Sequence, residues 1–139
     1  MVAVLTAPLF AQQVQPIGLI HPTAQPLGSV ASYGVPNLNR ALLATEDINR
    51  AANGQPARFA VPNPVTISPA THGTWEQLDE SWSLWRLKIK SPGAEHVNLG
   101  FQSFFMPAGA RMQLYSTNYR NILRPFDSSD HQPTGQLWA

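Results

Sequence analysis

Hydrophobic positions along this chain change their spacing twice, and the changes divide it into three stretches. Residues 1–11, MVAVLTAPLFA, form an apolar run that ends on a small residue ahead of the polar Gln12-Gln13. That pattern predicts a signal-peptide remnant, with Leu9 and Ala11 at the −3 and −1 positions of the cleavage site and without a basic start. Residues 12–36 are rich in Pro, Gln, Gly and Ser and keep no sustained period, which predicts an extended leader that packs weakly or stays disordered. Beyond Asn37 the spacing becomes helical. Leu38, Ala41, Leu42, Ile48 and Ala52 share one face of a 3.6-residue period, with Asn37 as N-cap and Asn53-Gly54 as a stop. A helix over residues 38–52 is predicted, its apolar face laid over a sheet.

After Gln55-Pro56 the period becomes two. Arg58-Phe59-Ala60-Val61 and Pro64-Val65-Thr66-Ile67 read as short strands whose prolines suit edge positions. Residues 74–78 and 82–90 follow, joined through Asp79-Glu80. In the second of these, Trp85, Leu87 and Ile89 alternate with Arg86, Lys88 and Lys90, predicting a buried face and a wet one. Turns at Ser91-Pro92-Gly93-Ala94 and Pro107-Ala108-Gly109-Ala110 separate two further alternating sets, Val97, Leu99, Phe101 and Met112, Leu114. Strand signals at this spacing predict a mainly β fold, an antiparallel, jelly-roll-like β-sandwich preceded by one amphipathic helix and an extended Pro/Gln-rich leader. Ending on Leu137-Trp138-Ala139 leaves that sandwich a strand or two short, so residues 37–139 read as a helix plus an incomplete sandwich.

Composition narrows the functional classes. Hydrophobic residues make up 43% and charged residues 12% of the 139, and 13 prolines with 9 glycines leave little room for a helical bundle. A formal charge of +1 without any basic block removes the phosphate-backbone attraction that nucleic-acid binding uses. Without cysteine there is no thiolate zinc site, iron–sulfur cluster, thiol nucleophile or disulfide framework. No run of 18 apolar residues is present, so no transmembrane segment is expected.

Several short elements recur together: Gly73-x-Trp75, Trp85-Arg86-Leu87, Ser91-Pro92-Gly93-Ala94, Asn98-Leu99-Gly100-Phe101, Pro107-x-Gly109-Ala110 and Gly135-x-Leu137-Trp138. With the helix and its trailing Arg58-Phe59-Ala60-Val61-Pro62, this set resembles the pro-region of secreted bacterial trypsin-like serine endopeptidases of the lysyl endopeptidase type, over residues 38–139. The resemblance implies a secreted, extracellular or periplasmic precursor, with a trypsin-like catalytic domain in cis as partner. The nucleophile context Gly-Asp-Ser-Gly-Gly and the Ala-Ala-His-Cys type of histidine context are absent. This stretch is therefore expected to be non-catalytic, acting as folding assistant and inhibitor.

Other chemistry is weakly supported. His21, His72, His96 and His131 are the only imidazoles, and no Gly-x-Ser-x-Gly elbow accompanies them. Asp127-Ser128-Ser129-Asp130-His131 gathers two carboxylates and an imidazole, but Asp and Ser at this spacing make turns by binding their own backbone, so a turn rather than a metal site is expected. Glu76, Asp79, Glu80 and Glu95 crowd a hairpin and a turn, which does not suit a glycosidase pair. No catalytic residue, cofactor or metal is assigned. Trp82, Phe105 and Arg111 are the candidate partner-binding residues, being aromatic or Arg anchors in a pattern that exposes them. A secreted β-sandwich that binds carbohydrate or protein through its tryptophans is the alternative, and self-association through an exposed sheet edge follows if the final strands are missing.

Overall fold

The computed structural model describes residues 14–139; the apolar run at 1–11 lies outside the described residues. In chain order the elements are a short helix α1 (Ile17–Ile20), strand β1 (Ser32–Gly34), the long helix α2 (Arg40–Ala52), then β2 (Thr74–Gln77), β3 (Ser83–Arg86), β4 (Lys88–Lys90), β5 (Gly100–Phe101) and β6 (Leu137–Trp138). Single turns of 3-10 helix occur at Leu27–Ser29 and Ser128–Asp130.

These strands pair only in twos: β1 with β4 in parallel, β2 with β3 and β5 with β6 antiparallel. Strand accounts for 17% and helix for 18% of the described residues. The expected jelly-roll-like sandwich is therefore not the fold. A sandwich needs two sheets several strands wide, with continuous apolar inner faces. Here runs of two to four strand residues are cut by turns, and between residues 110 and 136 pairing shrinks to isolated bridges at Met112–Phe126 and Tyr115–Ile122. Both Pro-Gly turns form, Ala94 N–H donating to Ser91 O at 3.2 Å and Ala110 N–H to Pro107 O at 3.0 Å.

The hairpin of β2 and β3 carries the first packed region. Its register sets Trp75 opposite Trp85 and Glu76 opposite Leu84. Glu76, Leu78 and Arg86 are buried, whereas Ile89 is 38% exposed. The alternation had predicted the opposite for Arg86 and Ile89. It fails because the expected strand over residues 82–90 breaks at Leu87, its first half pairing with β2 and its second with β1. Segment 14–36 lies over the buried face. Pro16 and Val30 are buried, Gln25 N–H reaches Glu76 Oε2 at 2.7 Å, and the Thr23 hydroxyl donates to Leu78 O at 2.8 Å. What composition suggested would pack weakly is a strap stitched to the hairpin by its own backbone.

α2 begins two residues later than expected, because Asn39 rather than Asn37 caps it by accepting from Leu42 N–H at 3.1 Å. It ends where Gly54 takes φ +67°, a conformation that suits glycine. No residue of this helix is buried, and Leu42 and Ile48 stand 54% and 71% exposed, so it does not cover a sheet. Arg40 fixes its first turn, with Nε donating to Gly93 O at 2.8 Å and Nη1 to Glu95 at 3.0 Å. A second packed region near the C-terminal end centres on Phe104, Phe126 and Leu137, with Phe101, Met106, Met112 and Leu114 against them.

Candidate functional site

Two of the three predicted anchors meet. Asp79 builds the β2–β3 turn by accepting from Ser81 N–H at 2.7 Å and Trp82 N–H at 2.9 Å, which sets the Trp82 ring at the hairpin tip, 40% exposed. These backbone donors, Ser81 first, hold the Asp79 carboxyl below its ordinary value. Arg111 lies over the Trp82 ring with Cζ 5.7 Å from its centroid, a cation–π contact worth about 0.5–1 kcal/mol at an exposed site. Phe105 is not part of that contact. It is 74% exposed and stacks on His131 at 5.3 Å, while Met106 N–H donates to His131 Nε2 at 2.8 Å. That bond requires a neutral imidazole with its proton on Nδ1.

His21 has the opposite wiring. Its Nε2 faces Asp79 Oδ2 at 3.3 Å, and its Nδ1 faces the Thr23 hydroxyl at 3.0 Å, whose single proton is committed to Leu78 O. Nδ1 accepts from Thr23 N–H at 3.4 Å, which leaves Nε2 to donate to Asp79. The contact ties the strap to the turn that carries Trp82.

The strongest electrostatic feature escaped the sequence reading. Arg86 and Glu76 form a buried ion pair in which Nε and Nη2 both donate to Oε1, at 2.8 and 2.5 Å. Nη2 also donates to Gln25 O at 2.6 Å. One side-chain pair thus satisfies both backbone groups of Gln25 and clamps strap to hairpin. Nη1 is buried without a partner and lies against Gly18, where a Cβ would come within 3.0 Å of it. The Tyr115 hydroxyl has its pKa raised by burial, with the Arg86 charge pulling the other way. A sequence signal did exist: Arg86 lies one residue from Trp85 in a strand whose hairpin partner carries Glu76 at the matching parity.

The remaining candidates serve structure. Asp127 and Asp130 form a reciprocal cap around Ser128–Asp130, Asp127 accepting from Ser129 N–H at 2.8 Å and Asp130 from Asp127 N–H at 2.9 Å, so the cluster is a turn. Arg124 grips Asp130, and this ion pair with the Asp127 amide holds the Asp130 carboxyl down to about 2. Glu95 pairs with Arg40 and Asp79 builds its turn, so these acids are spent locally. His72 Nδ1 meets the Thr71 hydroxyl at 2.8 Å, and its ring meets Tyr33 edge-on at 5.5 Å. Among the described residues no three His, Asp or Glu side chains gather as metal ligands, and no helix is long and apolar enough to cross a membrane.

Several aromatic side chains instead stand on the surface. Trp75 is 60% exposed with its Nε1–H held by Pro69 O at 2.8 Å, Trp138 is 76% exposed over Gly100, and Phe59 is 97% exposed. No known protein family matches this chain, and no solved structure matches it.

Proposed function

We propose that this chain is the non-catalytic pro-region of a secreted trypsin-like serine endopeptidase, which assists folding of the catalytic domain and holds it inactive. One observation carries the reading beside the sequence resemblance. Among the described residues 14 large hydrophobic side chains are exposed and 6 are buried. Exposed apolar side chains in this proportion suit a chain that covers them against a second domain. Trp82, Arg111 and Phe105 are the expected anchors, since partly exposed aromatic and Arg side chains contribute most where they become desolvated.

The test is refolding of a lysyl-endopeptidase-type catalytic domain with and without this chain in trans. The expected result is a higher yield of folded protease and slower peptide hydrolysis while the chain stays bound. Absence of binding, with unchanged refolding, would overturn the reading. A glycan-binding role has Trp75 in its favour, because a ring whose N–H is fixed inward offers its face for stacking. Retention on insoluble polysaccharide, lost on Trp75→Ala, would favour that role instead.

A further inference from the structure

Between the end of α2 and the β2–β3 hairpin the backbone runs open. Gln55 N–H still reaches back to Arg50 O at 2.9 Å, and the next backbone bond forward is from Thr71 N–H to Ser68 O at 3.0 Å. Residues 55–68 form no helix, turn or bend. Among the described residues, no backbone N–H of residues 57–67 has a partner, and the one backbone oxygen of that stretch or of Pro56 that does is Pro56 O, which accepts from Arg50 Nη2 at 3.0 Å. Arg58 is tied to α2, its Nη2 donating to Glu46 at 2.6 Å and its Nε to Asp47 at 3.0 Å, whereas Phe59 is 97% exposed.

We propose that the Phe59–Ala60 peptide bond is a processing site, cut by an endopeptidase that takes an aromatic side chain in its primary pocket, and that the two pieces stay together after the cut. The proposal does not depend on the pro-region reading. Hydrolysis consumes one water: the bond from Phe59 C to Ala60 N breaks, the oxygen of water completes a Phe59 carboxylate, and both its protons go to the Ala60 nitrogen as an ammonium. Endopeptidases bind their substrate as an added extended strand, so the bond must offer free backbone groups on both sides and an accessible side chain before it. Of the exposed Phe and Trp side chains, Phe59 meets both needs. Trp75 lies in β2 and Trp138 in β6, the Trp82 N–H is bound by Asp79, and the bond after Phe105 is pinned by Met106 N–H on His131. Cutting beside any of these first needs local opening, which lowers the rate by the population of the opened form. Arg58 is the competing side chain, and its two ion pairs hold it away from a pocket that prefers cations. Alanine follows Phe59, so the leaving nitrogen carries no proline ring.

The cut separates residues 1–59 from 60–139, yet the contacts that cross between these pieces are those that hold the fold. β1 pairs with β4, Val35 N–H donates to Lys90 O at 2.9 Å, and Leu38 N–H donates to Pro92 O at 3.2 Å. The buried Arg86–Glu76 pair holds both backbone groups of Gln25, and Arg40 holds Gly93 O. Only the far end of α2 loses its covalent link to the hairpin, and no residue of that helix is buried.

The experiment exposes the whole native chain to chymotrypsin at low ratio and reads the products by intact mass. The first cut within residues 14–139 should fall after Phe59, at least tenfold faster than at any other bond there. Phe59→Ala and Ala60→Pro should each slow it at least tenfold; both positions lie outside the packed regions, and an unchanged circular dichroism melt verifies folding. The cut pieces should leave a gel-filtration column together, at the volume of the uncut chain, and separate in denaturant. Trypsin should cut after Arg58 about threefold faster or more in a Glu46→Ala/Asp47→Ala variant, which frees that side chain.

No cut, a first cut elsewhere in residues 14–139, or several bonds cut at equal rates overturns the site. Pieces that elute apart without denaturant overturn the retained two-piece form. Trypsin that is indifferent to the double variant overturns the choice of an aromatic-preferring enzyme over a cation-preferring one.

Discussion

Removing the guanidinium of Arg86 tests the clamp that joins strap to hairpin. Arg86→Met keeps the length and apolar stem of the side chain but deletes both bonds to Glu76 Oε1 and the one to Gln25 O. Glu76 is then left 7% exposed with one remaining donor, the Gln25 amide at 2.7 Å. Breaking a buried ion pair from one side costs about 3–5 kcal/mol, because the surviving charge stays desolvated. The wild type already carries an unpartnered Nη1, a cost of about 1 kcal/mol that the substitution relieves. The net expectation is a loss of about 2–4 kcal/mol, roughly a 30- to 700-fold fall in the folding equilibrium constant. Urea unfolding followed by tryptophan fluorescence reads this, and limited proteolysis should show the strap cut before the hairpin. Adding Glu76→Leu removes the stranded charge, so the double variant should be more stable than Arg86→Met. A loss under about 1 kcal/mol, or a double variant whose loss equals the sum of the singles, would refute the argument.

Gly73→Ala should destabilise the hairpin by roughly 1–3 kcal/mol in the same assay, since φ is +92° and an added Cβ would lie 2.3 Å from Trp85 Nε1 and 2.9 Å from Arg86 O. Arg124→Gln should raise the Asp130 carboxyl from about 2 toward the ordinary range, followed by carboxyl NMR titration. Since the folded value is depressed, the Asp130 contribution is fully present above the unfolded value of 3.8 and disappears as pH falls through about 2; the variant should show a smaller loss in that window, because the Asp127 amide still lowers the carboxyl. His131→Phe should remove the acceptor of the Met106 amide while keeping the stack on Phe105, so hydrogen exchange at Met106 should speed up; a Met106 amide as protected as in the wild type would refute the contact.

Much of the local structure was readable from residue types alone. Gly54, the two Pro-Gly turns, the Asp127–Asp130 turn and the hairpin through Asp79 are each set by residues within a few positions of one another, so the sequence contains both partners side by side, although the helix cap falls on Asn39 and not on Asn37. Trp82 at the hairpin tip was legible for the same reason, whereas its contact with Arg111 joins residues far apart in the chain.

Tertiary structure decided the rest. Alternation runs unbroken from Trp85 through Leu87 to Lys90, so it does not reveal that the strand breaks there and turns Arg86 inward; that depends on Glu76 and on the strap backbone more than 50 residues earlier. Parallel pairing of β1 with β4 likewise spans over 50 residues and leaves no periodic mark. Conversely, residues 58–61 have a strand's pattern and no strand to pair with, and α2 has an apolar face with nothing laid against it. Sequence by itself determined which segments bend, cap and extend, because those choices are made by neighbours. Which faces are covered, and by what, was decided only where distant segments compete to bury the same surface.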